Sequence, residues 1–466
     1  MMTAPAEKPK GRLNPVRVKI KEADPKQRIE NFGEIILPYT REEAIAEAQR
    51  CIQCGKPWCQ EACPIGQDAR GYIKLIAQGN FDEAAAQIVW DNPLAECLSK
   101  VCYHFCEQAC PVGKKGEPIA IRQLKRAALD YGKPPSPYEP AQKNGMKVAI
   151  IGGGPAGITA AWALAKMGYE IAIFEASPIL GGLMTLSIPA YRLTKGTFKN
   201  DLERMKRLGI DYRVGVRVGR DKNFEDLFQS GFNAVFVAIG TMEPQGIRIP
   251  GTDLPGVFYA LDFLIDVNLG KKVTMGKRIA VIGGGDVAMD SVRTALRLGA
   301  KNVTLVYRRS REEMPASDEE IAETQAEGIE FMYLTAPLEV IGKEHVTGLK
   351  CQKMKLGEPD DSGRRRPVPI PGTEFTLDVD TVILAIGQQP NLEGIPDMGI
   401  KVGKKGVIEG TDEVGSTNKP GVYAGGGTSV VHAMAAGKRA AIAIDKFLKG
   451  ETGVPPQQLH VKKEGA

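Results

Sequence analysis

The chain has 466 residues, nine cysteines and a formal net charge of +5, from 61 Lys and Arg against 56 Asp and Glu. One hydrophobic core rarely organises more than about 250–300 residues, so two or three domains are expected. The small, interspersed positive charge gives no ground for a nucleic-acid partner, and no stretch nears the roughly 20 apolar residues of a membrane span.

Met1 to Asn14 carries Lys8, Lys10 and Arg12 without the apolar run of a secretory signal, so the chain reads as cytoplasmic. From there to about Tyr131 helical signals dominate, as in Thr40 to Arg50 and Phe81 to Val89, the latter opening after Asn80, a good helix cap. Eight of the nine cysteines lie here in two groups, Cys51, Cys54, Cys59, Cys63 and Cys97, Cys102, Cys106, Cys110, each ending in Cys-Pro. Thiolates so spaced converge on iron–sulfur clusters, and in ferredoxin-type runs the Cys-Pro cysteine ligates the other cluster of a pair. Two [4Fe-4S] clusters are the first expectation. Disulfides need an oxidising compartment, whereas zinc is permitted by the spacing alone and stays open. His104, among the cysteines, reads as a packed or solvent-facing imidazole rather than a ligand, and the isolated Cys351 as an ordinary buried residue.

Gly132-Lys133-Pro134-Pro135-Ser136-Pro137, Pro140 and Lys143-Asn144-Gly145 form a linker, which puts a domain boundary near 140. Beyond it, short Val and Ile runs alternate with amphipathic helices, the α/β pattern. Lys147 to Ile151 is a buried strand entering Gly152-Gly153-Gly154-Pro155-Ala156-Gly157 and an alanine-rich helix. Gly152 makes the turn, Gly154 admits a pyrophosphate to the backbone, and Gly157 lets the helix pack on the strand. The helix N-terminus offers the phosphates free N–H groups. A second strand, Glu170 to Phe174, ends at Glu175, about 20 residues on, where an acid takes ribose hydroxyls.

The pattern recurs at Arg278 to Ile282, Gly283-Gly284-Gly285-Asp286-Val287-Ala288 and a helix to Leu298. Here the second strand, Val303 to Val306, leads to Tyr307-Arg308-Arg309-Ser310-Arg311, with no acid at the ribose position. An arginine accommodates a 2′-phosphate that a carboxylate would repel, so this site favours NADP(H) over NAD(H). If Arg308 and Arg309 were only surface charge, Glu312 or Glu313 would take the ribose of NAD instead. The run Arg364-Arg365-Arg366, beside Asp360, Asp361 and Gly363, reads as a solvated loop. Two nucleotide sites of different character point to a flavin and a nicotinamide, between which hydride moves without a protein acid or base. No catalytic side chain is therefore named, and His104, His345, His432 and His460 form no nucleophile–base pattern.

Cys-Ile-Gln-Cys at 51 to 54, Ala62-Cys63-Pro64, Glu107-Gln108-Ala109-Cys110-Pro111, Gly181-Gly182-Leu183 and Ile188-Pro189-Ala190-Tyr191-Arg192-Leu193 together carry a resemblance. It continues through Val237-Ala238-Ile239-Gly240, the Tyr307 to Pro315 run, Ala385-Ile386-Gly387 and Gly421-Val422-Tyr423-Ala424-Gly425-Gly426. Over nearly its whole length the chain resembles the small (β) subunit of NADPH-dependent glutamate synthase. That family is related to the N-terminal part of dihydropyrimidine dehydrogenase and to the large subunit of NADH-dependent ferredoxin:NADP oxidoreductase.

The resemblance implies an α/β chain with an N-terminal helical iron–sulfur domain (1–140) followed by two Rossmann-like, disulfide-reductase-like domains. The FAD domain would be split into 141–250 and 381–466 by an inserted NADPH domain at 251–380, with Thr381 to Ile386 returning to the FAD sheet. It implies cofactor-binding roles for Gly152, Gly154, Pro155, Ala156, Gly157, Glu175, Gly182, Leu183, Arg192, Gly240 and Gly426. It implies the same for Gly283, Gly285, Asp286, Val287, Ala288, Arg308, Arg309 and Gly387. One cluster would take Cys51, Cys54, Cys59 and Cys110, the other Cys63, Cys102, Cys106 and a fourth ligand.

Three positions depart from the family. Relatives supply the fourth ligand as Glu or Gln where Lys125 stands here, and an ammonium has no lone pair to give. Cys97 is the expected replacement although Leu98 holds the matching register; Gln123 or water are the alternatives. Relatives have Gly-Gly-Asp at Gly425-Gly426-Gly427, and the segment to Val430-Val431-His432 is short, so weaker flavin retention is expected. Asp286 stands where many relatives have Asn.

The function implied is electron input: NADPH reduces FAD, and two clusters relay electrons to an accepting subunit, the glutamate synthase large subunit of glutamate biosynthesis or another flavin/iron–sulfur protein. The alternatives are a ferredoxin:NADP or bifurcating oxidoreductase, and an electron-wiring subunit without flavin turnover. An oligomer is expected.

Overall fold

The computed structural model describes residues 14–134, 138–139, 141–403, 406–409 and 412–451. Lys8, Lys10 and Arg12, the linker residues Pro135, Ser136, Pro137 and Pro140, and His460 lie outside the described residues. Among the described residues two compact units emerge: the first holds residues 14–21 and 37–134, the second Glu22–Ile36 and the described residues from Tyr138 to Glu451. The expected helical domain is thus interrupted by a segment, carrying the single turn α1 (Pro25–Arg28), that belongs with the second unit.

The first unit is helical: α2 (Arg41–Gln49), α3 (Trp58–Ala62), α4 (Ala69–Ala77), α5 (Phe81–Trp90), α6 (Ala95–Val101), α7 (Phe105–Gln108) and α8 (Ile121–Tyr131). Thr40 opens α2 with a reciprocal capping box to Glu43. Asn80 stands at the start of α5 as expected, but its side chain makes no cap hydrogen bond. The core gathers Tyr72, Ile73 and Ile76 of α4, Ile88 of α5 and Leu124 of α8, and Cys51, Cys59, Cys106 and Cys110 pack against it. Buried Glu47 accepts from Arg50 at 2.7 Å, from the Val18 amide at 2.8 Å and from the Ala120 amide at 2.9 Å, so its charge and lone pairs are matched.

The second unit contains the same βαβ plan twice. In the first copy β1 (Lys147–Ile151), α9 (Pro155–Lys166) and β2 (Glu170–Glu175) are followed by α10 (Leu183–Leu186), α11 (Lys195–Met205), β3 (Asp211–Val214), α12 (Glu225–Gln229) and β4 (Ala234–Val237). A two-residue ribbon strand, β5 (Glu243–Pro244), leads to the second copy. That copy runs β6 (Val257–Tyr259), α13 (Ala260–Asn268), β7 (Arg278–Ile282), α14 (Asp286–Arg297), β8 (Asn302–Val306), α15 (Asp318–Ala326) and β9 (Glu330–Met332). Then come β10 (Thr335–Gly342), β11 (Val346–Pro359), β12 (Arg365–Leu377), β13 (Thr381–Leu384), β14 (Gln388–Gln389), β15 (Val422–Ala424) and α16 (Val430–Leu448). The parallel sheets are ordered β15-β4-β1-β2-β3 and β6-β13-β7-β8-β9, β10-β11-β12 form a separate antiparallel sheet, and β14 pairs with β5.

One expectation is corrected here. Thr381 to Ile386 does not return to the FAD sheet: Val382, Ile383 and Leu384 pair with Ala280, Val281 and Ile282 of β7 and with β6. It is β15 that rejoins the first sheet, beside β4. The physical reason is burial on both faces. Ile279, Val281 and Ile383 face a core shared with α14, while Ala280, Ile282, Val382 and Leu384 face one shared with Val340, Leu349 and Cys351 of the antiparallel sheet. Only a central position satisfies an apolar strand of that kind, and each buried Val, Ile or Leu there contributes about 1.5–3 kcal/mol. Cys351 is fully buried in this core, as expected.

Candidate functional site

At the carboxyl end of β1, Gly152 has φ +109°, and a Cβ there would stand 2.3 Å from the Ala238 carbonyl oxygen. Gly157, in the first turn of α9, is closer still: a Cβ would meet the Gly152 carbonyl oxygen at 2.0 Å. Gly154, which precedes Pro155 and Ala156 at the helix start, has only the Gly182 Cα as neighbour, at 3.9 Å, so the cradle between them is open. The Gly181 amide donates to the Gly153 carbonyl at 2.8 Å, which brings Gly182 and Leu183 to the same loop. Glu175, buried at the end of β2, accepts from the Gly153 amide at 2.7 Å and the Ser177 amide at 2.7 Å. Gly240 follows the end of β4, which lies beside β1, and Gly426 follows the end of β15, which lies beside β4, so both lie at the carboxyl edge where open α/β sheets bind ligands. Among the described residues no atom stands within 4 Å of a Cβ placed at Gly426. The short segment after it closes on α16, whose N-cap Ser429 accepts from the His432 amide.

The second copy repeats the geometry. A Cβ at Gly283 would meet the Ala385 carbonyl oxygen at 2.2 Å, as Gly152 meets Ala238. A cavity of about 700 Å³ follows, bounded by Gly283, Gly285, Asp286, Val287, Arg308, Arg309 and Gly387. Of the expected residues of this site only Ala288, one turn inside α14, is not on its wall. Asp286 Oδ1 accepts from the Ser317 amide at 3.2 Å, which engages the acid at the loop. Among the further residues that line the cavity and that sequence reasoning did not assign to it are Arg248, Arg364 and Gln388. The run 364–366 is not simply the solvated loop its composition suggests. In the fold Arg364 faces the cavity and Arg365 pairs with Glu313 at 2.5 Å.

Arg192, expected to bind a cofactor, is engaged in ion pairs. It meets Asp290 of α14 with Nη1 at 2.8 Å and Glu320 of α15 with Nε at 2.7 Å. These contacts belong to a buried ionic cluster in which Glu327 accepts from Arg28, Arg293 and Arg297, all within 3.2 Å. Tyr191 lies under the Arg297 guanidinium, 4.1 Å from ring centroid to Cζ.

In the helical unit, Cys110 of the second sequence group joins Cys51, Cys54 and Cys59 around one small cavity. Cys63 of the first group acts electrostatically on Cys102 and Cys106. Burial pushes the Cys51 thiol up to about 11 and raises those of Cys102 and Cys106, with Lys125 pulling both of the latter back. Thiols held protonated by burial are made thiolates by metal binding. Cys97 is fully buried within α6. His104 Nδ1 lies 3.2 Å from the Cys102 carbonyl oxygen. Among the described residues no three His, Cys, Asp or Glu groups are placed to hold a single metal ion.

Residues 146–444 match the pyridine nucleotide-disulphide oxidoreductase family, and residues 28–135 match dihydropyrimidine dehydrogenase domain II with its 4Fe-4S cluster. The chain is 42% identical over 434 residues to the β subunit of the NADP(+)-dependent formate dehydrogenase of Moorella thermoacetica, covering 85% of this chain and 60% of that subunit. It is 36% identical over 446 residues to the glutamate synthase [NADPH] small chain of Escherichia coli, covering 90% of this chain and 94% of that one. Among solved structures, Mycobacterium tuberculosis FprA in complex with NADPH superposes with a TM-score of 0.56 at 20% identity, over 67% of this chain and 89% of that one, a likeness of fold.

Proposed function

The chain belongs to the pyridine nucleotide-disulphide oxidoreductase family, in the group that includes the glutamate synthase small chain, and from this we propose that it is the electron-input subunit of a larger oxidoreductase. It is an NADPH-dependent oxidoreductase carrying nucleotide-binding and 4Fe-4S domains. Our reading adds FAD at the first glycine loop, NADPH at the second, two clusters, and a synthase large subunit as acceptor. The observation that supports it is the gathering of Cys110, from the second sequence group, with Cys51, Cys54 and Cys59 around one small cavity, as an exchange of the Cys-Pro cysteines requires. Such an exchange is the signature of a paired-cluster relay.

The open cradles at Gly154 and Gly285, where the nearest atoms to an added Cβ are 3.9 and 3.7 Å away, fit two dinucleotides. Bound FAD supplies the two-electron to one-electron conversion that a relay of single-electron clusters requires. The chain's own part is to hold. Glu175 fixes the first loop and receives a ribose, the N-termini of α9 and α14 face pyrophosphates, and the two thiol sets hold the clusters. A fourth ligand from Cys97 completes the second set in this reading. The relative matched over 94% of its length supports the synthase partner, and the higher identity to the formate dehydrogenase β subunit favours a second reading with a dehydrogenase subunit as acceptor or donor.

Anaerobic purification, with flavin, iron and sulfide quantitation and spectra before and after NADPH, tests this. FAD with about eight iron atoms, bleached by NADPH, is expected. Iron without flavin, and no response to NADPH, would sink electron input and leave a wiring subunit. Glutamate formation on mixing with a synthase large subunit, or its absence alongside coupling to a formate-oxidising subunit, separates the two partners.

A further inference from the structure

The second nucleotide cavity receives an arginine from outside its own βαβ unit. Arg364 stands at the end of the 360–364 turn joining β11 to β12, more than fifty positions beyond the strand end that carries Arg308, yet both line one cavity. Neither has an ion-pair partner among the described residues, and the cavity lining holds a single carboxylate, Asp286. The Arg308 guanidinium is lowered by desolvation first and by the Arg309 and Arg364 cations next, which places the three charges within each other's field.

Arg309 does something else. It is buried, and it donates through Nη2 to Asp360 Oδ2 at 2.5 Å and through Nε to the Arg365 carbonyl at 2.8 Å. Asp360 also accepts from the Ser362 amide at 2.9 Å, and Arg364 Nε donates to Ser362 Oγ at 3.0 Å. A continuous chain of hydrogen bonds therefore runs from Arg309 through the turn to Arg364. The acids nearest the ribose position are engaged too: Glu312 and Glu313 both accept from Ser310, and Glu313 pairs with Arg365.

We propose that Arg364 is a specificity-determining residue for the 2′-phosphate of NADP(H), closing on it from the β11–β12 hairpin opposite Arg308, and that Arg309 is a positioning residue that holds the hairpin in place. This rests on the reading that the second site takes NADP(H). Two unpaired guanidiniums facing one cavity repel each other when it is empty, and a phosphate monoester dianion resolves both charges with bidentate hydrogen bonds. NAD(H), with a bare hydroxyl, leaves both cations unmatched. Discrimination thus comes from the repulsive arrangement as much as from the new contact.

The test compares binding of 2′,5′-ADP and 5′-AMP to the full-length chain by calorimetry, for the parent, R364A, R308A and D360N. R364A and R308A are each expected to weaken 2′,5′-ADP by about 10- to 100-fold, the range for losing charge-assisted hydrogen bonds, with 5′-AMP unchanged. D360N, which keeps both arginines but loosens the turn, is expected to weaken 2′,5′-ADP severalfold and spare 5′-AMP. If R364A binds 2′,5′-ADP as the parent does while R308A does not, the role of Arg364 is overturned and the NADP(H) reading stands. Equal loss of both ligands in R364A or D360N would make the hairpin merely structural and overturn the proposal. A parent that binds 5′-AMP as tightly as 2′,5′-ADP would overturn the NADP(H) reading itself, and the proposal with it.

Discussion

The Glu175 carboxylate and the Gly153 amide meet at 2.7 Å, so the acid at the end of β2 reaches across and fixes the middle of the glycine loop at the end of β1. Its second oxygen holds the Ser177 amide at the same distance. One side chain thereby ties together the ends of β1 and β2.

Replacing Glu175 with Ala leaves two amides without their acceptor, a cost of about 1–3 kcal/mol each when buried. Purified E175A is expected to retain less than a tenth of the parent's flavin after desalting, measured by absorbance and released FAD, while the 4Fe-4S content stays as in the parent. Full flavin retention would show that the loop is set by other contacts.

Gly157→Ala drives a methyl to 2.0 Å from the Gly152 carbonyl oxygen, and that oxygen is backbone and cannot yield. A loss of about 1–3 kcal/mol in stability is expected from such overpacking, together with loss of flavin. Gly196→Ala, in α11 with open space around it, is the control. It is expected to gain up to about 1 kcal/mol from helix propensity, read from denaturant midpoints.

Glu327 has no exposed side-chain surface and three arginines around it. Burial alone would raise its carboxyl, but hydrogen bonds from Arg297 and Arg293 override that and bring it down to about 2. The folded value lies below that of an unfolded glutamate, about 4.3. Its contribution is therefore present above roughly pH 4.3 and disappears as pH falls toward 2. E327Q is expected to lose about 3–5 kcal/mol at neutral pH, because three guanidiniums remain buried around a neutral group. The difference between the parent and E327Q should shrink in urea melts run at successively lower pH, and a difference independent of pH would contradict the charge argument.

Lys125 is buried beside the second thiol set, and it pulls down the Cys102 and Cys106 thiols that burial raises. A fixed cation next to a cluster stabilises its reduced form. If the chain holds the two clusters proposed above, K125Q is expected to shift the potential of one of them negative by on the order of tens of millivolts, seen in an EPR-monitored titration, and to leave the other unmoved. Equal shifts in both, or none, would remove Lys125 from the second site.

Much of this architecture was legible because it is local. Each glycine loop lies within thirty residues of its two flanking strands, the acid at 175 falls in the first such window, and strand, turn and helix chemistry reads directly from windows of that length. The Cys-Pro endings pointed beyond each sequence group, and Cys110 does line one cavity with Cys51, Cys54 and Cys59. The sheet that receives Thr381–Leu384 was not legible from its apolar run alone. A signal was nonetheless present: Ala385-Ile386-Gly387 copies Ala238-Ile239-Gly240, and each alanine carbonyl stands against the turn glycine of its own copy. Arg364 was missed because a run of charges looks the same whether it faces water or a cavity, and only the long β11–β12 hairpin decides. Arg28 was out of reach for another reason: its partner Glu327 lies 299 positions away.

The segment Glu22–Ile36 lies between stretches of the helical unit yet is built into the nucleotide-binding unit, where Arg28 joins Glu327 and Phe32 packs 6.2 Å from Tyr191. The iron–sulfur half and the dinucleotide half are consequently not interchangeable cassettes. A fusion or truncation cut near residue 140 would carry away a piece of the other half's interior, so any rearrangement that swaps the electron outlet has to bring this fifteen-residue tether with it or leave its arginine's counter-charge behind.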